Sequence, residues 1–204
     1  MAQVVTLPEP ILGFTLRPSS RENLSDEEYW AFCEANPELH VERTAKGELL
    51  IMPPAGGESD DRSAEVITQL RTWAWKDGRG RGFGSSVQFF LPDGSGLSPD
   101  AAWVSNESLQ RLTKEQRKRF LRLTPDFVVE VLSPSDDLRT AKSKMDQWIA
   151  NGVQLGWLID GDAQSVHVYR KGKRPVIRRN VRELGGEGPV QGFVLNLIPI
   201  WEGL

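Results

Sequence analysis

The 204-residue chain is predicted to be α/β, with a mixed central sheet flanked by helices. Three observations carry that prediction. Short apolar, β-branched runs, such as VVEVL at 128–132 and LGWLID at 155–160, have the length of buried strands. Stretches with helical spacing of apolar residues separate them, and strands grouped between helices indicate a mixed sheet. Apolar residues make up 39% and charged residues 26%, the balance of a globular chain long enough to bury a core. With no internal repeat or low-complexity stretch, residues 1–204 read as a single domain. Its core spans about 39–170, with an N-terminal helix and a C-terminal hairpin as additions.

The elements follow in order. Ser25 is a helix N-cap, with Glu28 placed to complete a capping box and Tyr29, Phe32 and Cys33 forming one apolar stripe. Residues 39–52 read as a β-hairpin turning at Ala45-Lys46-Gly47. After the breaker cluster 53–57, residues 58–75 read as a helix with Ala64, Ile67, Leu70 and Ala74 on one face. Residues 77–82, DGRGRG, read as a flexible basic loop. Residues 86–91 and 98–104 read as strands joined by the turn residues 92–96, the second entered through Pro99. Residues 108–120 read as a polar helix. After the strand at 128–132, Asp136 or Asp137 caps a helix ending near Asn151-Gly152. Residues 155–160 form a strand, 166–169 and 176–178 a hairpin, and 192–197 a last apolar stretch.

Composition excludes several classes. The net charge of −3 gives no global pull toward nucleic acid, so binding would rest on local patches. One cysteine, Cys33, rules out an internal disulfide and a paired-cysteine zinc site, and two histidines leave no histidine-rich metal site. No run is long enough to span a bilayer, and the first residues lack a basic segment followed by an apolar core, so a cytoplasmic chain without a signal peptide is expected. Basic residues crowd 111–122 and 171–179. Each cluster by itself reads better as a solvated face beside acids such as Glu115 than as a phosphate contact. Trp73, Trp75, Trp148 and Trp157 read as core or dimer-interface residues, since base stacking would need them exposed. Ser135 and His167 lack the G-x-S-x-G setting of a nucleophile, and GRGRGFG at 78–84 lacks the Lys-Ser/Thr ending of a phosphate loop.

The acids are more informative. Glu130 sits in the middle of an apolar strand with no cation beside it, and a buried charge needs a partner. Asp100 opens a strand some 30 residues earlier. On neighbouring strands the two would converge at roughly 5 Å in backbone terms, and a shared divalent cation would pair both. Hard oxygen ligands suit magnesium or manganese. A cation that orients water or stabilises a phosphorane would come from the following helix, as Lys142 or Lys144. Asp126 lies on the same strand face as Glu130 but ~13 Å away, too far to share a metal. Taken singly, Asp100 is a strand-opening turn acid, Glu58 a helix-start acid and Lys144 a surface lysine; the joint pattern carries the functional reading.

Pro99-Asp100, Glu130-Val131-Leu132-Ser133-Pro134-Ser135, Lys144, Gly152-Val153 and Gly156-Trp157-Leu158-Ile159-Asp160 resemble the putative restriction-endonuclease family of bacterial proteins. That family, formerly of unknown function, is a branch of the PD-(D/E)XK nuclease superfamily. The resemblance spans about 39–170. It implies a restriction-endonuclease-like fold and Mg2+- or Mn2+-dependent hydrolysis of DNA phosphodiester bonds. Asp100 matches the family's aspartate and Glu130 the acid of its Glu/Asp-x-Lys triplet. Leu132 stands at the triplet's lysine position; in this branch the lysine lies on the next helix, where Lys144 matches. Glu58 resembles an extra acid at the start of the first core helix, with Glu65 as its rival. The expected site is therefore catalytic Asp100, Glu130 and Lys144, with a metal on Asp100, Glu130 and Glu58. Two alternatives stand beside it: a catalytically degenerate fold serving as a DNA-binding or protein-interaction module, as a homodimer, and a small-molecule phosphodiesterase using the same acids.

Overall fold

The structure is a computed structural model that describes residues 14–16, 24–134 and 136–204; the N-terminal leader reading and Ser135 lie outside them. In chain order the elements are β1 (Phe14–Leu16), α1 (Asp26–Ala35), β2 (His40–Arg43), β3 (Leu49–Met52), α2 (Gly57–Asp77), β4 (Gly80–Gly84), β5 (Phe89–Phe90), β6 (Gly96–Leu97), β7 (Ala101–Ser105) and α3 (Asn106–Gln110). They continue with β8 (Phe127–Leu132), α4 (Leu138–Ala150), β9 (Leu155–Asp160), β10 (Ser165–Arg170), β11 (Val176–Arg179), β12 (Glu183–Gly185), β13 (Val194–Asn196) and α5 (Ile198–Glu202). Among the described residues no helix is long and apolar enough to cross a membrane.

The main sheet has the order β11-β10-β9-β8-β7-β4 among the described residues. Only β8 and β9 pair in parallel. A parallel pair needs a crossover, and α4 supplies it. Helices cover both faces, which is why the central strands read as nearly continuous apolar runs. On one face Val66, Leu70 and Ala74 of α2 pack with Phe127, Val129, Val131, Trp157 and Phe193. On the other, Met145 and Trp148 of α4 pack with Val128, Leu158, Ala102 and Val104. Period-two alternation along β8 therefore turns Glu130, like Val128, toward α4.

A second, antiparallel sheet has the order β1-β3-β2-β6-β5, and α1 lies against it through the buried Tyr29. The capping box at Ser25 and Glu28 forms as the sequence predicts. Residues 98–100 carry the chain from β6 in this sheet to β7 in the main one. That passage places Asp100 where the two sheets meet.

The hairpin at 39–52 forms as the sequence predicts and lies in the second sheet. Three expectations need correction. Residues 80–84, read as loop, are β4, an edge strand of the main sheet. Its glycines serve close packing: a Cβ on Gly80 would sit 2.4 Å from Trp103 and from the Val104 carbonyl, and one on Gly82 would sit 2.9 Å from Arg71 Cγ. The helix read at 108–120 starts earlier and breaks, because Thr113 and Gln116 cap each other reciprocally and begin a separate turn. Of residues 86–91, only Phe89 and Phe90 pair as a strand. Among the tryptophans, Trp148 and Trp157 are fully buried and Trp73 packs against the core, whereas Trp75 is 79% exposed.

Candidate active site

Strands β7 and β8 are antiparallel neighbours, with Ala101 opposite Val129 and Trp103 opposite Phe127. The ladder stops at Ala101. Beyond it, Asp100 Oδ2 accepts the Val131 backbone N–H at 2.7 Å, taking over the place of a strand partner. This bond holds the Asp100 carboxylate beside the strand position occupied by Glu130. The sequence reading that the two acids sit on neighbouring strands therefore holds.

Helix α4 delivers two groups to Glu130. Lys144 and Trp148 lie one turn apart and so share a helix face. Trp148 Nε1 donates to Glu130 Oε1 at 2.7 Å, and Lys144 Nζ lies 3.1 Å from Oε1 and 3.3 Å from Oε2 of the same carboxylate. Asp137 starts this helix in the right register by accepting the backbone N–H groups of Arg139 and Thr140. Leu132, at the triplet's lysine position, packs into the apolar cluster under α4.

Sequence reasoning missed Glu42. This residue of β2 is 3% exposed, and its Oε1 accepts from Lys144 Nζ at 2.9 Å and from the Ser98 backbone N–H at 2.9 Å. The Ser98 carbonyl also accepts from Lys144 Nζ, at 3.0 Å. The lysine thus joins the second sheet, the passage at 98–100 and β8. One signal was present in the sequence: HVER puts Glu42 and Arg43 side by side in a short strand, so at least one charge had to point inward. Arg43 is buried as well, paired with Asp26 and bonded to the carbonyls of Gly94 and Leu24.

Three carboxylates therefore face one ammonium. Burial pushes the Glu130 carboxyl up to about 8, and Asp100 and Glu42 add to the rise against the pull of Lys144 and the Trp148 hydrogen bond. Asp100 is raised too, chiefly by burial, although its bond from Val131 and the nearby Lys144 work against the shift. Burial alone would discharge Lys144, but Glu130 and Glu42 outweigh it and raise its pKa. Mutual repulsion among acids around a single cation is relieved by a further positive charge. Among the described residues no group of three or more His, Cys, Asp or Glu is arranged to hold a metal. The Asp100–Glu130 pair fits a hard cation of the magnesium type, which is typically held by one or two carboxylates and completes its shell with water and phosphate oxygens.

The other sequence candidates lie elsewhere. Glu58 Oε1 bonds Arg62 at 2.6 Å and sits beside Gly203, and Arg62 also reaches Asp162 at 3.0 Å. Glu65 bonds Gln69 on its own helix. Asp126 is a strand-opening acid, accepting the Ser105 N–H at 2.8 Å and Gln154 Nε2 at 3.1 Å. Much of the 111–122 cluster is neutralised locally, by Arg111–Glu107, Lys118–Glu115 and Arg122–Asp26.

Comparison with known proteins identifies a family and a shared fold. The sequence matches the Uma2 family, described as "Putative restriction endonuclease", over residues 26–197. The crystal structure of a putative nuclease belonging to DUF820 from Anabaena variabilis shares the fold, with a TM-score of 0.67 at 19% sequence identity. The match covers 81% of this chain and 91% of that one. No curated protein matches the chain. With the family match running from α1 to the end of β13, the chain belongs to the putative restriction endonuclease family.

Proposed function

We propose that this chain is a metal-dependent endonuclease that hydrolyses DNA phosphodiester bonds. The observation that carries the proposal is the meeting of Asp100, Glu130 and Lys144 at the junction of two sheets, with more carboxylates than cations. Asp100 and Glu130 would hold Mg2+ or Mn2+. The bound cation would lower the pKa of a water ligand and offset charge on the scissile phosphate. Asp100 brings one oxygen already fixed by Val131, so its carboxylate is oriented before any ligand arrives.

Lys144 donates to three groups. Glu42 and the Ser98 carbonyl anchor the ammonium at 2.9 and 3.0 Å. The longer contact, to Glu130, is the one free to turn toward the attacking water or a phosphate oxygen. Glu42 is then a positioning residue that keeps Lys144 charged and in place. Glu58 is left out of this assignment because Arg62 holds it.

The test is cleavage of supercoiled plasmid and of duplex and single-stranded DNA in Mg2+ or Mn2+. Nicking should vanish in EDTA and in Glu130→Gln, a substitution that keeps the shape and the acceptor for Trp148. Undiminished nicking in Glu130→Gln would overturn the assignment. Absence of both cleavage and calorimetric Mn2+ binding by the parent chain would favour the non-catalytic module.

A further inference from the structure

Asp100 lies at one end of a groove of about 790 Å³ that runs between α2 and the edge strand β4. Arg71 and Arg81 line it as well. The β4–β7 register puts Gly84 opposite Ala101 and Arg81 opposite Val104. Arg81 is thus roughly 10 Å further along the strand, by ordinary strand rise. Ile67 packs against Gly84 and Arg71 against Gly82, so α2 runs alongside and its first-turn acid, Asp60, sits toward the Asp100 end. The groove is acidic where Asp100 stands and basic at the other end.

Trp75 stands at that basic end. It lies one helical turn beyond Arg71, and Arg81 is stacked over its ring with the guanidinium 5.9 Å from the centroid. Trp75 is 79% exposed, although it follows the buried Ala74 directly. One exposed apolar side chain is ordinary. What sets this one apart is its setting: a guanidinium over the ring, and a groove whose two arginines have no carboxylate partner among the described residues. The basic residues at 111–122 differ in this respect, since acids neutralise several of them.

We propose that Trp75 and Arg81 form a stacking subsite for an unpaired nucleotide, with Arg71 contacting the phosphate backbone that leads along β4 to Asp100. The inference rests on the nuclease reading and adds the form of the substrate. An indole face accepts any base, and a neighbouring guanidinium adds cation–π attraction and a phosphate contact. Bases in a duplex are stacked on each other, so a subsite of this kind selects a single-stranded element near the scissile bond.

The experiment is fluorescence anisotropy with the full chain in EDTA, using a labelled mixed-sequence single-stranded DNA and the duplex of the same sequence. The single strand should bind more tightly than the duplex. Trp75→Ala should weaken single-strand binding by about 5- to 150-fold, while Trp75→Phe retains most of it. Arg81→Ala, which leaves the indole in place, should weaken it by about 2- to 5-fold. A Trp75→Ala chain that binds single strands within about twofold of the parent overturns the subsite, as does a parent with no single-strand binding. Trp75→Ala that changes the oligomeric state by light scattering without changing DNA affinity makes the residue a protein contact, and also overturns it. The nuclease reading is decided separately, by metal-dependent nicking and its loss in Glu130→Gln.

Discussion

Trp148 Nε1 donates a 2.7 Å hydrogen bond to Glu130 Oε1 within the packed layer between α4 and β8. The indole is fully buried, so this bond is shielded from water. It explains how a carboxyl in the middle of an apolar strand keeps one orientation. Lys144, one turn earlier on α4, comes to the same carboxylate from the solvent side, with 23% of its side chain exposed.

Trp148→Phe keeps most of the ring volume and removes the donor. Leaving the Glu130 oxygen without this partner should destabilise the chain by about 1–3 kcal/mol in denaturant unfolding. The carboxylate also loses a group that favours its ionised form, so Mn2+ affinity measured by calorimetry should fall about 10- to 100-fold. Unchanged affinity would show that the indole fills space and does not orient the acid.

Lys144→Gln should reduce nicking by about 10²–10³-fold, the size of effect seen when one electrostatic donor is removed from a reacting site. It also leaves Glu42 and Glu130 without their shared cation. Because the lysine is partly exposed, the stability loss should fall below the roughly 3–5 kcal/mol of a fully buried pair, at about 1–3 kcal/mol. Adding Glu42→Gln removes one orphaned charge, so the double variant should be more stable than the sum of the singles predicts by about 0.5–3 kcal/mol. Strict additivity would mean that Glu42 does not position the lysine.

The pH dependence has a defined sign. Burial holds the Glu130 carboxyl at about 8 in the folded chain, against 4.5 for an ordinary glutamate. Between those values the folded chain keeps a proton that the unfolded chain releases, so stability falls as pH rises from about 4.5 to 8. Asp100 is shifted the same way. His167, lowered chiefly by burial, works in the opposite direction at the acid end. Thermal melts in EDTA should therefore show a negative slope over this interval that is shallower in Glu130→Gln. Stabilisation by Mn2+ should grow with pH over the same range, because the cation needs the carboxylate form.

Gly80→Ala tests the close approach in β4. The new Cβ would meet Trp103 and the Val104 carbonyl at 2.4 Å, and the carbonyl belongs to the backbone of the paired strand. A loss of about 1–3 kcal/mol is expected from overpacking, read from the denaturant midpoint. Gly94→Ala is unsuitable as a control, since Gly94 has φ 85°. Gly185→Ala, with nothing within 4 Å of its added Cβ, should be near neutral.

The amino-acid sequence by itself determined strands β7 to β11 of the main sheet and the helices α2 and α4 that cover it, because buried strands and amphipathic helices carry different apolar periods. It also singled out Asp100, Glu130 and Lys144. A carboxylate inside VVEVL demands a partner, and the resemblance supplied the acid on a neighbouring strand and the lysine on the following helix. Tertiary structure decided the rest. Glu42 joins the site only because a second sheet packs against the first and sends Ser98–Asp100 across the gap; nothing local to HVER tells that both of its charges are buried or what each one meets. The resemblance offers Glu58 as an extra acid at a helix start, and only the fold shows that Arg62, one turn on, pairs with it. The GRGRG segment reads as loop, yet residues 80–84 pair with β7, and its glycines let Trp103 and the helix residue Arg71 approach closely, a demand absent from the segment itself. Whether Trp75 was core or surface likewise depended on which face of α2 met the sheet, and it is the face bearing Val66, Leu70 and Ala74 that does.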